Sequence, residues 1–338
     1  MSETIPANIG LDLVRVTEAT ALAAGRWLGL GKRGSAHLAA TEAMYEALST
    51  IDIDGYVVIG EEGRIGNHSP LDSGKKVGTG KGPRVDVVVD PIDGTRSVAK
   101  GLPSAISVIG ISPRGTMWSA QEGTGVYMDK IVVNREAADK LVVECMDAPA
   151  GWTLALVARA KNKEVRDLQV AVLERPRHEA LIEEIRNAGA RVLLRFDGDS
   201  AGALMAATPG TGVDLLMGIG GIPEGVTAAC AVRAMKGAML GRLAPQSDAE
   251  RAALAAAAID IKKIFTDKEL VTTDQIFFAA TGVTTGPLLQ GVYYRGSLAR
   301  TQSLLIRAET GIRRLIQTEH LLSDNTLNLT TSPLPALG

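Results

Sequence analysis

The sequence predicts an α/β fold of two lobes, and three observations carry that expectation. A chain of 338 residues can bury a large core and most often divides into two domains or lobes. Its 37 glycines and 4% aromatic content suit a fold with many tight strand–helix turns. From about residue 150, short apolar runs alternate with helical stretches, the pattern of a mixed or parallel sheet flanked by helices. One lobe is therefore expected over residues 1–150 and a second over 151–322. The polar tail 323–338, with two prolines, is expected to be disordered.

The elements follow in order. Leu11 to Leu30 reads as an amphipathic helix with Leu11, Val14, Ala21, Leu22 and Leu28 on its apolar face, interrupted by Glu18. Ala36 to Leu48 makes a second helix. Tyr56–Gly60 is a short strand delivering Glu61 at its end, and Val85–Val89 delivers Asp90 in the same way. The polar, glycine-rich loop between Gly60 and Arg84 is longer than a connector needs to be, and loops of that length are usually functional. Ala105–Ile111 and Lys130–Val133 continue the strands. Then strands at Leu168–Leu173, Arg191–Arg195 and Val213–Met217 alternate with helices at His178–Ala188, Ser200–Ala207 and Pro223–Met235. An alanine-rich helix is expected over Asp248–Ile264, and late strands at Ile276–Ala280 and Ser303–Ile306. No internal repeat is visible.

Composition excludes several classes of function. The net charge is −2 without a basic block, which disfavours nucleic acid as a partner. No apolar run is long enough to span a bilayer and no secretion signal opens the chain, so the expected location is cytoplasmic. For the same reason the sequon at Asn328 is discounted. Cys145 and Cys230 are too few and too isolated for a disulfide framework or a thiolate metal site.

The most informative stretch runs from Arg84 to Thr95. Val87-Val88-Val89 ends in Asp90, a second carboxylate, Asp93, follows, and then Gly94 and Thr95. Carboxylates at the end of a buried strand are costly unless a positive group meets them. Mg²⁺ accepts one or two such carboxylates and leaves positions for phosphate and water. Pro91 and Gly94 are expected to break the strand, so that both acids project from one turn. Gly94 lets the backbone approach a ligand, and Thr95 can orient a water. The stretch therefore suggests a metal-dependent phosphatase site, against the alternative of a solvated Asp-Pro, Asp-Gly turn. If its strand neighbours that of Asp90, Glu61 joins Asp90 and Asp93 in one volume, and crowded carboxylates favour cations.

Other groups have two readings each. Glu224, after Gly218-Ile-Gly-Gly221-Ile-Pro, either answers a helix dipole or belongs to the acidic cluster, and the glycines could cradle a phosphate. Arg175 and Arg177 flank one proline at a strand end and could grip a phosphate, or form a solvated basic turn. Asp197 and Asp199 could accept hydrogen bonds from sugar hydroxyls, or make a turn and a helix cap.

In chain order, Val14-Arg-Val-Thr-Glu-Ala19, Val58-Ile-Gly-Glu61, Asp90-Pro-Ile-Asp-Gly-Thr95, Arg175-Pro-Arg-His178, Asp197-Gly-Asp199, Gly218-Ile-Gly-Gly-Ile-Pro-Glu-Gly225 and Ala280-Thr-Gly-Val-Thr284 resemble the bacterial class II fructose-1,6-bisphosphatases over roughly residues 9–322. Each motif alone is weak, and the ordered set is specific. The resemblance implies a two-lobed, layered α/β sandwich of the lithium-sensitive sugar-phosphatase type, with the metal-binding lobe first and the sugar-phosphate lobe second. It implies Mg²⁺ or Mn²⁺ and hydrolysis of the 1-phosphate of fructose 1,6-bisphosphate, in gluconeogenesis or the reductive pentose phosphate cycle. Some members also hydrolyse sedoheptulose 1,7-bisphosphate, and the family commonly forms dimers or tetramers.

By the same resemblance, Glu61, Asp90, Asp93 and Glu224 are metal ligands, with Asp93 where Glu is also common. Thr95 helps activate the attacking water, with Glu61 and Asp90 also catalytic. Gly94, Thr95 and Arg96 form the turn that holds the 1-phosphate, and Tyr127 contacts substrate. Arg175, in place of a frequent lysine, and Arg177 hold the distal phosphate. Asp197 and Asp199 take sugar hydroxyls. Two departures stand out: His37, in Ser35-Ala-His-Leu38, replaces a metal-ligating Asp, and the loop after Gly60 is altered and longer, without its distinctive Asp. Imidazole is a poor Mg²⁺ ligand and suits transition metals, so one cation site is expected to be weakened or shifted towards Mn²⁺ or another transition metal, with Glu62 as partial compensation. Against this stands the alternative that His37 sits on the helix surface and another acid took over. The alternatives are a weakened paralogue that binds sugar phosphates in a regulatory role, and a phosphatase for another substrate such as an inositol phosphate.

Overall fold

A computed structural model describes residues 5–60, 69–119 and 127–322. The chain opens with helices α1 (Ile9–Gly25) and α2 (Arg33–Leu48), followed by strands β1 (Asp54–Ile59), β2 (Lys76–Val77) and β3 (Arg84–Asp93). Helix α3 (Thr95–Lys100), β4 (Ile106–Pro113), β5 (Tyr127–Val133) and α4 (Ala150–Ala160) come next. Then β6 (Gln169–Leu173), α5 (Glu179–Asn187), β7 (Arg191–Arg195), α6 (Asp199–Ala207), β8 (Leu215–Gly221), α7 (Ile222–Ala234) and β9 (Ala238–Leu243) alternate. The chain continues through α8 (Asp248–Ala256), β10 (Ile264–Thr266), α9 (Asp267–Leu270), β11 (Phe277–Gly282), β12 (Tyr293–Arg295), β13 (Leu298–Arg307) and β14 (Ile312–Leu321).

Among the described residues the strands form two sheets. The first, of eight strands, runs β12-β13-β11-β4-β3-β1-β2, with β14 also paired to β13; the second, of six, runs β10-β9-β5-β8-β6-β7. Chain order and sheet membership differ. β5 joins the second sheet, and the last four strands return to the first. In the first sheet only β1 and β3 are parallel, while in the second β6 is parallel to both β7 and β8.

Side-chain chemistry dictates the layering. Helix α7 buries residues on every side, including Ile222, Val226, Ala228, Ala229, Cys230, Ala231 and Val232, and every residue of α6 is buried. A helix apolar all round must lie inside the protein. Both helices share one core with Val88 and Val108 of the first sheet and Val132 and Leu216 of the second. They therefore fill the space between the sheets, and their small side chains let the sheets come close. On the outer faces, α1 and α2 cover the first sheet through Leu13, Val16 and Met44, and α4 and α5 cover the second through Leu154, Val157 and Ile185. The result is a layered α/β sandwich.

Several expectations change. Helix α1 buries Ile9, Leu13, Val14, Val16 and Ala21, while Leu11 and Leu28 are exposed, so the inward stripe is rotated from the one expected. Glu18 belongs to the buried face because hydroxyls satisfy it: its carboxylate accepts from Thr318 (2.6 Å), Thr301 (3.2 Å) and Ser303 (3.4 Å) of β13 and β14. The alanine-rich helix stops at Ala256, and Ile264 begins β10. The tail 323–338 and the loop residues 61–68 lie outside the described residues, as does 120–126.

Candidate active site

Strand β3 lies between β1 and β4 and is covered on both faces, which explains its unbroken valine run. Val85, Val87 and Val89 face α1 and α2, whereas Val88 faces the layer of α6 and α7. Asp90 shares the parity of Val88 and is fully buried at that inner layer. Pro91 does not end the strand, contrary to expectation. Pairing with β4 continues from Asp90 opposite Val108 to Asp93 opposite Ile106, so β3 carries one extra residue there. A bulge of this kind re-aims a side chain without breaking the strand. Gly94 then adopts φ +99°, a left-handed conformation that glycine allows, and α3 begins at Thr95.

The bulge turns Asp93 towards the start of α6. Its Oδ1 accepts the backbone N–H groups of Asp199 (3.0 Å) and Ser200 (3.3 Å), and its Oδ2 that of Ala201 (2.7 Å). Asp93 thereby caps the first turn of α6 from another element, satisfying donors that a helix start leaves unpaired. Burial pushes its carboxyl up to about 7; the Ala201 N–H opposes this and the nearby Glu224 carboxylate adds to it. Glu224 lies in the first turn of α7, directly after β8.

Facing this, Asp197 joins three segments. Its Oδ2 accepts the Arg96 backbone N–H (2.9 Å), and its Oδ1 accepts Arg175 Nη2 (2.8 Å). Arg175 also donates to the carbonyl of Phe196 (2.7 Å), and the Arg96 guanidinium lies 4.7 Å from the Phe196 ring centroid. Arg177 donates through Nε (3.2 Å) and Nη2 (2.8 Å) to the carbonyl of Ile219 and lies 5.1 Å from the Tyr127 ring centroid. Asp199 forms an ion pair with Lys130, whose side chain has no exposed surface. A side chain at Gly220 would overlap both the Asp199 carboxylate and Lys130 Nζ, so the glycines at the end of β8 form a floor on which this pair rests.

The structure thus brings together Asp93, Gly94, Thr95, Arg96, Arg175, Asp197, Asp199 and Glu224 where β3, β6, β7 and β8 end and α3, α6 and α7 begin. Strand ends of this kind are where α/β sheets bind ligands. Glu61, with Glu62, lies outside the described residues. His37 is buried on α2. Among the described residues, no three acid, histidine or cysteine side chains gather closely enough to hold an ion. The donor chemistry nevertheless fits a hard divalent cation: the neighbouring Glu224 and Asp199 carboxylates disfavour the charged form of buried Asp93, and a cation there would offset that repulsion.

Two functional-region residues went unread in the sequence. Arg195, nearly buried, donates to the carbonyls of Gly198 (3.0 Å), Asp197 (3.3 Å) and Ser104 (3.4 Å), stitching the Asp197–Asp199 turn to the segment before β4. Its signal was a cation at a strand end directly before two acids. The signal of Lys130 was a cation inside an otherwise apolar strand, which implies a buried partner.

Comparison with known proteins follows this geometry. The sequence model of the family described as "Bacterial fructose-1,6-bisphosphatase, glpX-encoded" matches residues 7–320. The chain is 40% identical over 329 residues to the fructose-1,6-bisphosphatase class 2 of Haemophilus influenzae, covering 94% of this chain and 97% of that one. It is 38% identical over 328 residues to the fructose-1,6-bisphosphatase 1 class 2 of Escherichia coli K12, covering 93% and 96% respectively.

Proposed function

Because the chain belongs to the bacterial class II fructose-1,6-bisphosphatase family, a group of phosphoric monoester hydrolases, we propose that its own reaction is hydrolysis of the 1-phosphate of fructose 1,6-bisphosphate. The observation that carries this reading is the pairing of two unlike ends where neighbouring strands end. At one end stand the buried acids Asp90 and Asp93, with half-buried Glu224, beside the Gly94–Thr95 turn; at the other stand Arg175 and Arg177. A substrate with a phosphate at each end fits that polarity.

The residues divide the work. Gly94 and Thr95 receive the scissile phosphate. Thr95 Oγ1 donates to the carbonyl of Ile92 (3.1 Å), which leaves its lone pairs to accept a proton of the attacking water and aim it. Arg177 and Arg175 hold the distal phosphate, Tyr127 flanks Arg177, and Asp199 meets sugar hydroxyls with its charge fixed by Lys130. Mg²⁺ or Mn²⁺ held by Asp90, Asp93 and Glu224, with Glu61, would supply water activation and neutralise the leaving oxygen. His37 shifts this preference towards Mn²⁺. Sedoheptulose 1,7-bisphosphate, one carbon longer between the same two ends, is the second substrate. The proposal includes a cytoplasmic homo-oligomer, dimer or tetramer; among the described residues no helix is long and apolar enough to cross a membrane.

A second reading, a weakened paralogue that binds sugar phosphates, is favoured by one observation: the Asp93 carboxylate is engaged by three backbone N–H groups of α6. One experiment separates the two. Phosphate release from fructose 1,6-bisphosphate is followed with metal-stripped protein, Mg²⁺ and Mn²⁺ being added back separately. Turnover that disappears in Asp90→Ala supports the enzyme; tight bisphosphate binding without turnover in either metal supports the paralogue.

A further inference from the structure

His178 closes the Arg175-Pro-Arg-His motif but has no part in the site as described so far. Its ring is 1% exposed and bonded at both nitrogens: Nδ1 to the carbonyl of Leu173 (2.7 Å), and Nε2 to the backbone N–H of Ile219 (2.8 Å). A carbonyl requires a donor and an N–H requires an acceptor, so the ring is neutral and carries its proton on Nδ1. Burial lowers the affinity of this imidazole for a second proton, against the opposing effect of the Leu173 bond.

The position of the ring is informative. Parallel strands β6 and β8 pair at Val170 opposite Leu215 and Ala171 opposite Leu216, and the pairing stops there. Continued by two residues, the register sets Leu173 opposite Gly218, and the next ladder bond would run from the Ile219 N–H to the Leu173 carbonyl. The imidazole stands between those two groups, replacing one direct bond by two. Gly218 makes room for it: its φ is +122°, and a Cβ there would lie 3.0 Å from Nε2. The strands are held apart at their ends, and the carbonyl of the same Ile219 is the one that anchors Arg177 through Nε and Nη2.

We propose that His178 is a positioning residue for recognition of the distal phosphate: wedged between β6 and β8, its imidazole fixes the Ile219 peptide whose carbonyl orients the Arg177 guanidinium. The inference rests on the reading of Arg177 as a distal-phosphate ligand. His178 itself touches neither substrate nor metal. Without the two hydrogen bonds of the imidazole, the Ile219 peptide loses its fixed orientation and the anchor of Arg177 shifts with it.

The test compares the full-length protein acting on fructose 1,6-bisphosphate and on fructose 1-phosphate, which keeps the scissile phosphate and lacks the distal one. Wild type, Arg177→Met, His178→Phe and His178→Gln are assayed. Both Arg177→Met and His178→Phe are expected to reduce the ratio of kcat/KM for the bisphosphate to that for the monophosphate by about tenfold, the size of a lost charge-assisted contact, through KM rather than kcat. His178→Gln, which can donate and accept, is expected to recover part of the ratio. If Arg177→Met leaves the ratio unchanged, the reading of Arg177 fails and the inference with it. If Arg177→Met lowers the ratio while His178→Phe leaves it alone or damages both substrates equally, the inference alone is overturned. A readout independent of variant folding is ¹⁵N NMR of the wild-type imidazoles, of which there are 4. One ring protonated only on Nδ1 through neutral pH supports the wedge, and four rings that all carry Nε2–H or titrate refute it.

Discussion

Lys130 carries its charge where no water reaches it, and Asp199 is what makes that tolerable. Removing one member of a buried pair leaves the other uncompensated, so Lys130→Met should destabilise the protein by about 3–5 kcal/mol. In Lys130→Met/Asp199→Asn most of that loss should be absent, and urea unfolding of the single and double variants measures the difference. Thr95 makes a different prediction. Its hydroxyl both donates to Ile92 and aims water, so Thr95→Val should lower kcat by about a hundredfold while KM changes little. An equal loss in Thr95→Ser would argue against the hydroxyl role. At this scale the sequence was legible where a charge interrupts an apolar run, as at Asp90. The partner was not legible, because Asp93 meets α6 and Lys130 meets Asp199 only once distant segments are layered together.

At the scale of elements, the start of β8 is tied to the turn after α4. Asp214, just before β8, accepts Lys163 Nζ (2.8 Å), Lys161 Nζ (2.9 Å) and the Gln169 N–H (3.0 Å). Burial alone would raise its carboxyl, yet the two lysines and the Gln169 N–H outweigh this and hold it below the ordinary 3.8. A carboxyl depressed in the folded state contributes stability that is present above its ordinary value and lost as pH falls through the folded one. The wild type should therefore lose stability below about pH 4 more steeply than Asp214→Asn, as read from urea midpoints across that range. Strand positions were readable from valine-rich runs, but the fate of Pro91 was not. Proline usually ends pairing, and here a bulge absorbs it because β4 supplies partners on either side. The rotation of α1 was hidden for a similar reason. Glu18 looks like an interruption of the apolar face until the hydroxyls of β13 and β14, nearly three hundred residues away, are seen to satisfy it.

For the molecule as a whole, one core draws side chains from both sheets through α6 and α7. The two sheets should therefore unfold together. Trp118 packs on that shared core, Trp27 on the cluster beside α2, and Trp152 sits on α4 of the second sheet. Single-tryptophan variants should give coincident midpoints in denaturant, and separate midpoints would show that the sheets act independently. The α/β class could be read from alternation and composition, and the layered sandwich only from the family resemblance. The return of the last strands to the first sheet could not, since pairing partners so distant leave no local pattern in a sequence.

That return has a consequence for how the protein comes into being. The strand bearing Asp90 is flanked by β4, whose other edge is completed by β11, with Ile111 opposite Phe277. A chain growing from its N-terminus makes β3 and β4 long before β11 exists, and every strand of the second sheet is synthesised in between. During that interval β4 presents an open, apolar edge of the kind that recruits other chains. The acidic strand end therefore matures late in synthesis, and a ribosome-stalled chain ending before Phe277 should be protease-sensitive across β3 and β4 although both are fully translated.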